Sequence, residues 1–104
     1  MIDASIIQQV TDIFASLDSR YTLSVYISSE HESGAQMAEF LNDFATTSSH
    51  ISVEYHKATG NTLYFDLLKE DKPTGITFRG IPNGHEFTSL LLAILNADGK
   101  GKNL

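Results

Sequence analysis

The hydrophobic residues of this chain change their spacing along the sequence, and that change limits the folds it can adopt. Near the N-terminus apolar side chains recur every three to four residues, which is typical of a helix with one buried face. Apolar and polar residues then alternate over a short stretch, which is typical of a strand. The two patterns together predict the order helix, strand, helix, strand, strand, strand, helix.

The first helix is predicted from Asp3 to Leu17. Its apolar stripe comprises Ile2, Ile6, Val10, Ile13 and Leu17, with Ile7 and Phe14 beside it. A capping box, in which Ser33 and Gln36 satisfy each other's backbone groups, is expected to open the second helix. The last helix is expected to begin near Gly84. The two later helices are predicted to bury Met37, Phe40, Leu41 and Phe44, and Phe87, Leu90, Leu91, Ile94 and Leu95.

The four strands are predicted at 22–27, 51–55, 63–68 and 75–80. The strand–helix–strand unit makes its two strands parallel, with a right-handed connection. An antiparallel hairpin and a final helix complete the sheet. The predicted fold class is therefore α/β and thioredoxin-like: a small mixed four-stranded sheet with helices on both faces and an extra N-terminal helix. We expect one domain, 1–98, and a linker-like tail, 99–104, that leads to a second thioredoxin-like fold.

The charge of the chain disfavours several kinds of partner. Thirteen acidic residues against seven basic ones give a formal net charge of −6, and no basic stripe is present. Binding of nucleic acid or of an anionic membrane surface requires positive charge, so neither is expected. No apolar run is long enough to span a bilayer, and the first residues do not resemble a signal peptide. A cytoplasmic location is expected.

Cysteine is absent from the sequence. This excludes disulfides, thiolate metal sites and cysteine nucleophiles. In a thioredoxin-like topology the redox turn follows the first strand and opens the next helix, whose N-terminus stabilises a thiolate. Here that turn reads Ser29, Glu30, His31, Glu32 and Ser33, and we call it the vestigial turn. Its acids are expected to complement the helix dipole.

The sequence gives weaker support for two other kinds of site built from these residue types, a metal site and a catalytic triad. Glu30, His31 and Glu32 are adjacent, whereas metal ligands on one helical face are spaced i, i+4, so no metal site is predicted. A small metal-dependent hydrolase stays open only if metal binds. The serines and histidines follow no nucleophile motif or triad order, and serines beside turns are mostly helix caps.

The run from Phe78 to Leu95 is the most specific stretch of the chain. It reads FRGIPNGHEFTSLLLAIL, with Gly-His-Glu-Phe at 84–87. This pattern resembles the signature of the flavoprotein F subunit of bacterial alkyl hydroperoxide reductase. The resemblance extends, more weakly, to the N-terminus and so covers the whole chain.

This resemblance implies a function beyond what the spacing of residues shows. In that family two thioredoxin-like folds stand in tandem, the first without cysteine and the second with a C-x-x-C pair. Further domains bind FAD and NAD(P)H, and electrons pass through the dithiol to a peroxiredoxin C subunit that reduces peroxides. The chain would then hold no cofactor itself and would be one part of a homodimeric oxidoreductase.

The resemblance also assigns roles to the residues at 84–87. Glu86 matches a glutamate that lies near the dithiol of the neighbouring fold, where it is expected to act as a supporting acid or base. Gly84, His85 and Phe87 are expected at the interface with that fold. Considered without the family, Glu86 is an ordinary first-turn acid at a helix N-terminus.

The alternative is a stand-alone module that binds a peptide or protein in the thioredoxin-like groove. Many thioredoxin-like folds carry a proline just before the third strand, facing the functional turn. Here the corresponding residues are Asn61 and Thr62. The missing proline argues against peptide docking at the vestigial turn.

Overall fold

Three helices and a four-stranded sheet occupy residues 2–99, the part of the chain that the computed structural model describes. Of the predicted tail, only Gly99 falls within that range, and 100–104 lie outside it. No helix within these residues has the length and apolar character needed to cross a bilayer. The elements are α1 (Ala4–Ile13, followed by a 3-10 turn at Phe14–Ser16), β1 (Tyr21–Ser28), α2 (Gly34–Ala45), β2 (Ile51–Ala58), β3 (Leu63–Lys69), β4 (Lys72–Arg79) and α3 (His85–Ala97).

The sheet has the strand order β2-β1-β3-β4, with β1 parallel to β2 and the other pairs antiparallel. The parallel pair is joined through α2, and β3 and β4 form the hairpin. Both β1 and β3 have a neighbouring strand on each side, and the side chains of β1 are the most buried of any strand. The predicted mixed four-stranded α/β fold is confirmed.

One face of the sheet carries the hydrophobic core. Tyr21, Leu23 and Val25 of β1 point to this face and are at most 1 % exposed. The helices meet above it through edge-to-face phenylalanine pairs, whose favourable ring geometry adds to their burial. Those pairs are Phe14–Phe44 at 5.8 Å between centroids, and Phe40–Phe87 and Phe44–Phe87 at 6.0 Å.

Helices were expected on both faces of the sheet, and the second face differs from that expectation. The side-chain hydrogen bonds that join helices to strands within residues 2–99 all start from first-face residues, Tyr55 and Lys69. Only residues 59–62 connect β2 to β3, too few for a helix that could cover the second face. Polar and aromatic side chains of the strands cover that face instead.

The strands are longer than the sequence pattern indicates. A two-residue turn joins β3 to β4, with Glu70 at φ +50° and Asp71 at φ +65°. Two left-handed residues match the right-handed twist of a hairpin, so the strands continue up to the turn. This geometry adds Lys69 to β3 and begins β4 at Lys72.

The N-terminal helix is shorter and less buried than predicted. It ends at Ile13, and the 3-10 turn carries the chain to Leu17. Val10 and Phe14 are buried, but Ile6 and Ile13 are 40 % and 42 % exposed. A helix packed on one side covers only a narrow stripe, and these two isoleucines lie outside it.

Candidate functional site

The vestigial turn is held by its own backbone. The His31 N–H donates to the Ser28 carbonyl at 3.1 Å, and the Gly34 N–H donates to the His31 carbonyl at 3.1 Å. The Ser28 hydroxyl also accepts from the Glu30 N–H at 3.2 Å. Glu30 and Glu32 are exposed. The turn thus has the position of a thioredoxin-type redox site and none of its sulfur chemistry.

The predicted capping box does not form. Ser33 is the N-cap of α2, but its side chain makes no capping hydrogen bond. His31 lies two residues earlier, and its Nδ1 accepts from the Ser33 N–H at 3.0 Å. The imidazole therefore bonds the N-cap backbone, an arrangement that the S-x-x-Q pattern does not indicate.

The histidines and acids do not form a metal centre. Within residues 2–99 no three side chains of His, Asp, Glu or Cys come together as metal ligands.

A serine–histidine–glutamate contact that the sequence did not indicate lies on the second face of the sheet. The Ser24 hydroxyl is 2.9 Å from His56 Nε2, and a Glu54 oxygen is 3.9 Å from the same nitrogen. In a catalytic triad the carboxylate binds the other ring nitrogen and orients the base. Because both groups meet Nε2, this geometry does not build a hydrolase.

The start of α3 is the second candidate region. Gly84 is its N-cap, with φ +57° and ψ −126°, a conformation that side chains other than hydrogen strongly disfavour. The Phe87 N–H donates to the Gly84 carbonyl at 3.2 Å, and the Glu86 N–H donates to the Asn83 carbonyl at 3.1 Å. Gly84 thus allows α3 to begin directly at His85, and both His85 and Glu86 are exposed in its first turn.

Glu86 is an exposed acid in the first turn of α3. Its carboxylate makes no hydrogen bond or ion pair with another residue in the range 2–99, although the positive end of the helix dipole favours its charge. His85 is exposed as well, and its carbonyl accepts from the Ser89 hydroxyl at 3.1 Å. Glu86 is therefore available to a group outside the described residues.

An apolar groove of about 470 Å³ lies beside these residues, and we call it the α1–α3 groove. Its walls are formed by one isoleucine before α1, one isoleucine within α1, and phenylalanines of α2 and α3. It is lined by Ile2, Asp3, Ile6, Phe40, Asn83, Gly84 and Phe87.

The structure brings Gly84 and Phe87 together with α1, not with the vestigial turn. None of Ser29, Glu30, His31 and Glu32 lines the groove. Ile2 and Ile6 were predicted as core residues and were missed as part of this surface. The incomplete burial of the α1 stripe is a tertiary property, so no sequence signal could have identified them.

Relatives of known name match nearly the whole chain. The F subunit of alkyl hydroperoxide reductase in Staphylococcus epidermidis is 35% identical over 100 residues, which cover 96% of this chain and 19% of that protein. A Bacillus subtilis protein named NADH dehydrogenase is 38% identical over 101 residues, again 96% of this chain and 19% of the relative. The chain spans about a fifth of the length of these curated relatives. No family model matches it.

Solved structures agree in fold. The N-terminal domain of the alkyl hydroperoxide reductase F subunit of Enterococcus faecalis superimposes with a TM-score of 0.83 at 30% identity. The match covers 92% of this chain and 52% of that one. A structure of the same F subunit with a C503A substitution gives a TM-score of 0.82 at 31% identity. The chain is therefore a cysteine-free homologue of part of the N-terminal domain of the alkyl hydroperoxide reductase F subunit.

Proposed function

We propose that this chain is the non-catalytic thioredoxin-like half of the N-terminal domain of a peroxide-detoxifying reductase. The observation that carries the proposal is the vestigial turn: a homologue of a reductase domain holds no sulfur where a redox turn belongs. Such a chain cannot exchange thiols with a disulfide. Its contribution is to support and orient a second fold that carries the dithiol.

The cofactors of this proposed enzyme bind outside the chain. A dinucleotide site needs a G-x-G-x-x-G turn at a helix N-terminus, and the loop before α3, Gly80-Ile81-Pro82-Asn83-Gly84, lacks that spacing. The residues present therefore do not fit FAD or NAD(P)H. In the proposed full-length protein, a homodimer, both belong to later domains. Electrons leave those domains through the dithiol toward a peroxiredoxin C subunit.

Glu86 is the residue through which this half would influence the chemistry. Its carboxylate is exposed and has no partner within residues 2–99, and Gly84 is the N-cap of the helix that carries it. A carboxylate placed beside a dithiol can accept a proton from one thiol and return it later in the cycle. Glu86 would thus be a supporting acid or base, with Gly84, His85 and Phe87 forming the contact around it.

The first experiment measures disulfide reduction by the purified chain. Insulin is the substrate, and a thioredoxin assayed alongside shows that the assay works. We expect no reduction above the rate of the reductant alone, because no thiol is available. Measurable reduction by residues 1–104 would refute the proposal.

NMR titration separates the proposal from a stand-alone binding module. The labelled chain is mixed with the part of the Enterococcus faecalis domain beyond the matched region, and separately with extended peptides. Shifts centred on Gly84 and Phe87 with the domain support the tandem partner. Shifts centred on 29–33 and Leu63 with the peptides support the module instead.

A further inference from the structure

The α1–α3 groove has a wall of exposed apolar surface on α1. Among residues 2–99 the large apolar side chains with substantial exposure are Ile6, Ile13, Leu92 and Tyr55, and of these only Ile6 lines the groove. Burying an isoleucine that is 40 % exposed is favourable, because apolar area leaves water. Covering the groove with another apolar surface would thus be favourable in free energy.

The charges around the groove are of one sign. Asp3 lies in its lining, Glu86 follows Gly84 on α3, and Glu39 lines the adjoining cavity that shares Phe40 and Asn83. Among the described residues, no lysine or arginine lines either cavity. An occupant should therefore offer an apolar side chain and neutral or basic neighbours, since acidic neighbours would be repelled.

We propose that an apolar side chain of the dithiol-bearing fold that follows this domain in its longer relatives occupies the groove, so that α1 becomes part of the interface. This rests on the proposed function. The match covers 52% of the solved Enterococcus faecalis chain, and the rest of that chain is large enough for one further fold.

The geometry of the chain allows this contact. Asp98 follows α3 and accepts hydrogen bonds from the Asp18 and Ser19 N–H groups, which fixes the end of the helix beside the start of β1. The groove lies at the other end of α3, about 20 Å away for 13 helical residues. This domain measures 40 × 30 × 23 Å. A second fold of similar size, placed beside the end of α3, would therefore be long enough to reach the groove at the start of α3.

The experiment compares Ile6 with Ile13. Both are isoleucines of α1 with nearly equal exposure, but Ile13 does not line the groove. We would join this chain to the unmatched part of the Enterococcus faecalis domain, in place of the matched part. The isoleucine methyl signals of this chimera are then compared with those of the isolated chain. We expect the Ile6 methyl to shift and to contact the second fold, whereas the Ile13 methyl keeps its position.

The variants Ile6→Ser and Ile13→Ser give an independent measurement. In the chimera, backbone amides around the groove should exchange about tenfold faster with Ile6→Ser and unchanged with Ile13→Ser. Circular dichroism of the isolated variants checks that both fold.

Equal behaviour of the two isoleucines, or a concentration-dependent shift of Ile6 in the isolated chain, would overturn the inference. A Glu86 effect on the dithiol without any Ile6 effect removes this inference alone and leaves the proposed function standing.

Discussion

Asp98 joins the end of α3 to the start of β1. Its carboxylate accepts from the Asp18 N–H at 3.0 Å, the Ser19 N–H at 2.9 Å and the Tyr21 hydroxyl at 2.9 Å. Replacing it with alanine leaves three donors without this acceptor, so we expect Asp98→Ala to lower the free energy of unfolding by about 2 kcal/mol. Urea unfolding measures the loss. Asp12→Ala, which removes an exposed contact to Gln8, should change it by less than about 0.5 kcal/mol.

Tyr21 makes stability depend on alkaline pH. Burial, followed by the hydrogen bond to Asp98, raises the pKa of its hydroxyl far above the ordinary value of 10.0. The unfolded chain therefore loses this proton above about pH 10 while the folded chain keeps it. The folded state then binds more protons, and stability falls as pH rises.

The variant Tyr21→Phe should weaken that pH dependence. At neutral pH it should cost about 1 kcal/mol for the lost hydrogen bond. Between pH 8 and pH 11 its free energy of unfolding should fall less than that of the unsubstituted chain. Tyr55→Phe is the comparison, since desolvation of the hydroxyl also raises the pKa of Tyr55. An equal fall in Tyr21→Phe and the unsubstituted chain would contradict the assignment.

Gly84 sets the start of α3. An alanine at φ +57° and ψ −126° is strained, so Gly84→Ala should lower the free energy of unfolding by about 1–3 kcal/mol. Asn83→Ala changes an exposed neighbour and should stay within about 0.5 kcal/mol. Comparable losses in the two variants would show that the backbone conformation of Gly84 is not the cause.

At the scale of elements, the turn between β3 and β4 is left-handed at two residues that are not glycine. Asp71 at φ +65° carries a conformational cost that glycine avoids. We expect Asp71→Gly to raise the free energy of unfolding by up to about 1 kcal/mol and Asp71→Ala to lower it. Thermal and urea unfolding of the pair test this. A stabilising alanine would exclude the strain as the cause.

Element order was predictable because each pattern has a direct physical origin. The alternation at Leu23 and Val25 reflects two faces of a strand, and the spacing of Met37, Phe40 and Phe44 reflects one face of a helix. The caps were not predictable in the same way. His31 rather than the side chain of Ser33 bonds the backbone at the start of α2, since the turn geometry decides which group reaches it.

At the scale of the whole molecule, the sequence could not show that the helices share one face. The chain has no helix between β2 and β3, and the resulting second face is covered by rings stacked across strands. Tyr26 stacks between His56 at 4.6 Å and Tyr64 at 4.8 Å. The alternation of β1 predicts two kinds of face, but not whether a helix covers the polar one.

The candidate site was predictable only in part. The motif at 84–87 predicted that Glu86 lies at the start of a helix, and in the structure Glu86 is in the first turn of α3. The groove beside it joins residues distant in sequence, Ile6, Phe40 and Phe87, and their meeting depends on how α1 packs. A pattern confined to one segment contains no information on such a surface.

The central claim, that this half acts on its neighbour's dithiol through Glu86, is tested most directly by thiol alkylation rates in the chimera across pH. Glu86→Gln keeps the size of the side chain and removes its proton transfer and charge. Glu32→Gln, an exposed acid of the vestigial turn, is the matched control. We expect Glu86→Gln to displace the pH profile of alkylation and Glu32→Gln to leave it in place. Superimposable profiles for all three proteins would contradict the claim.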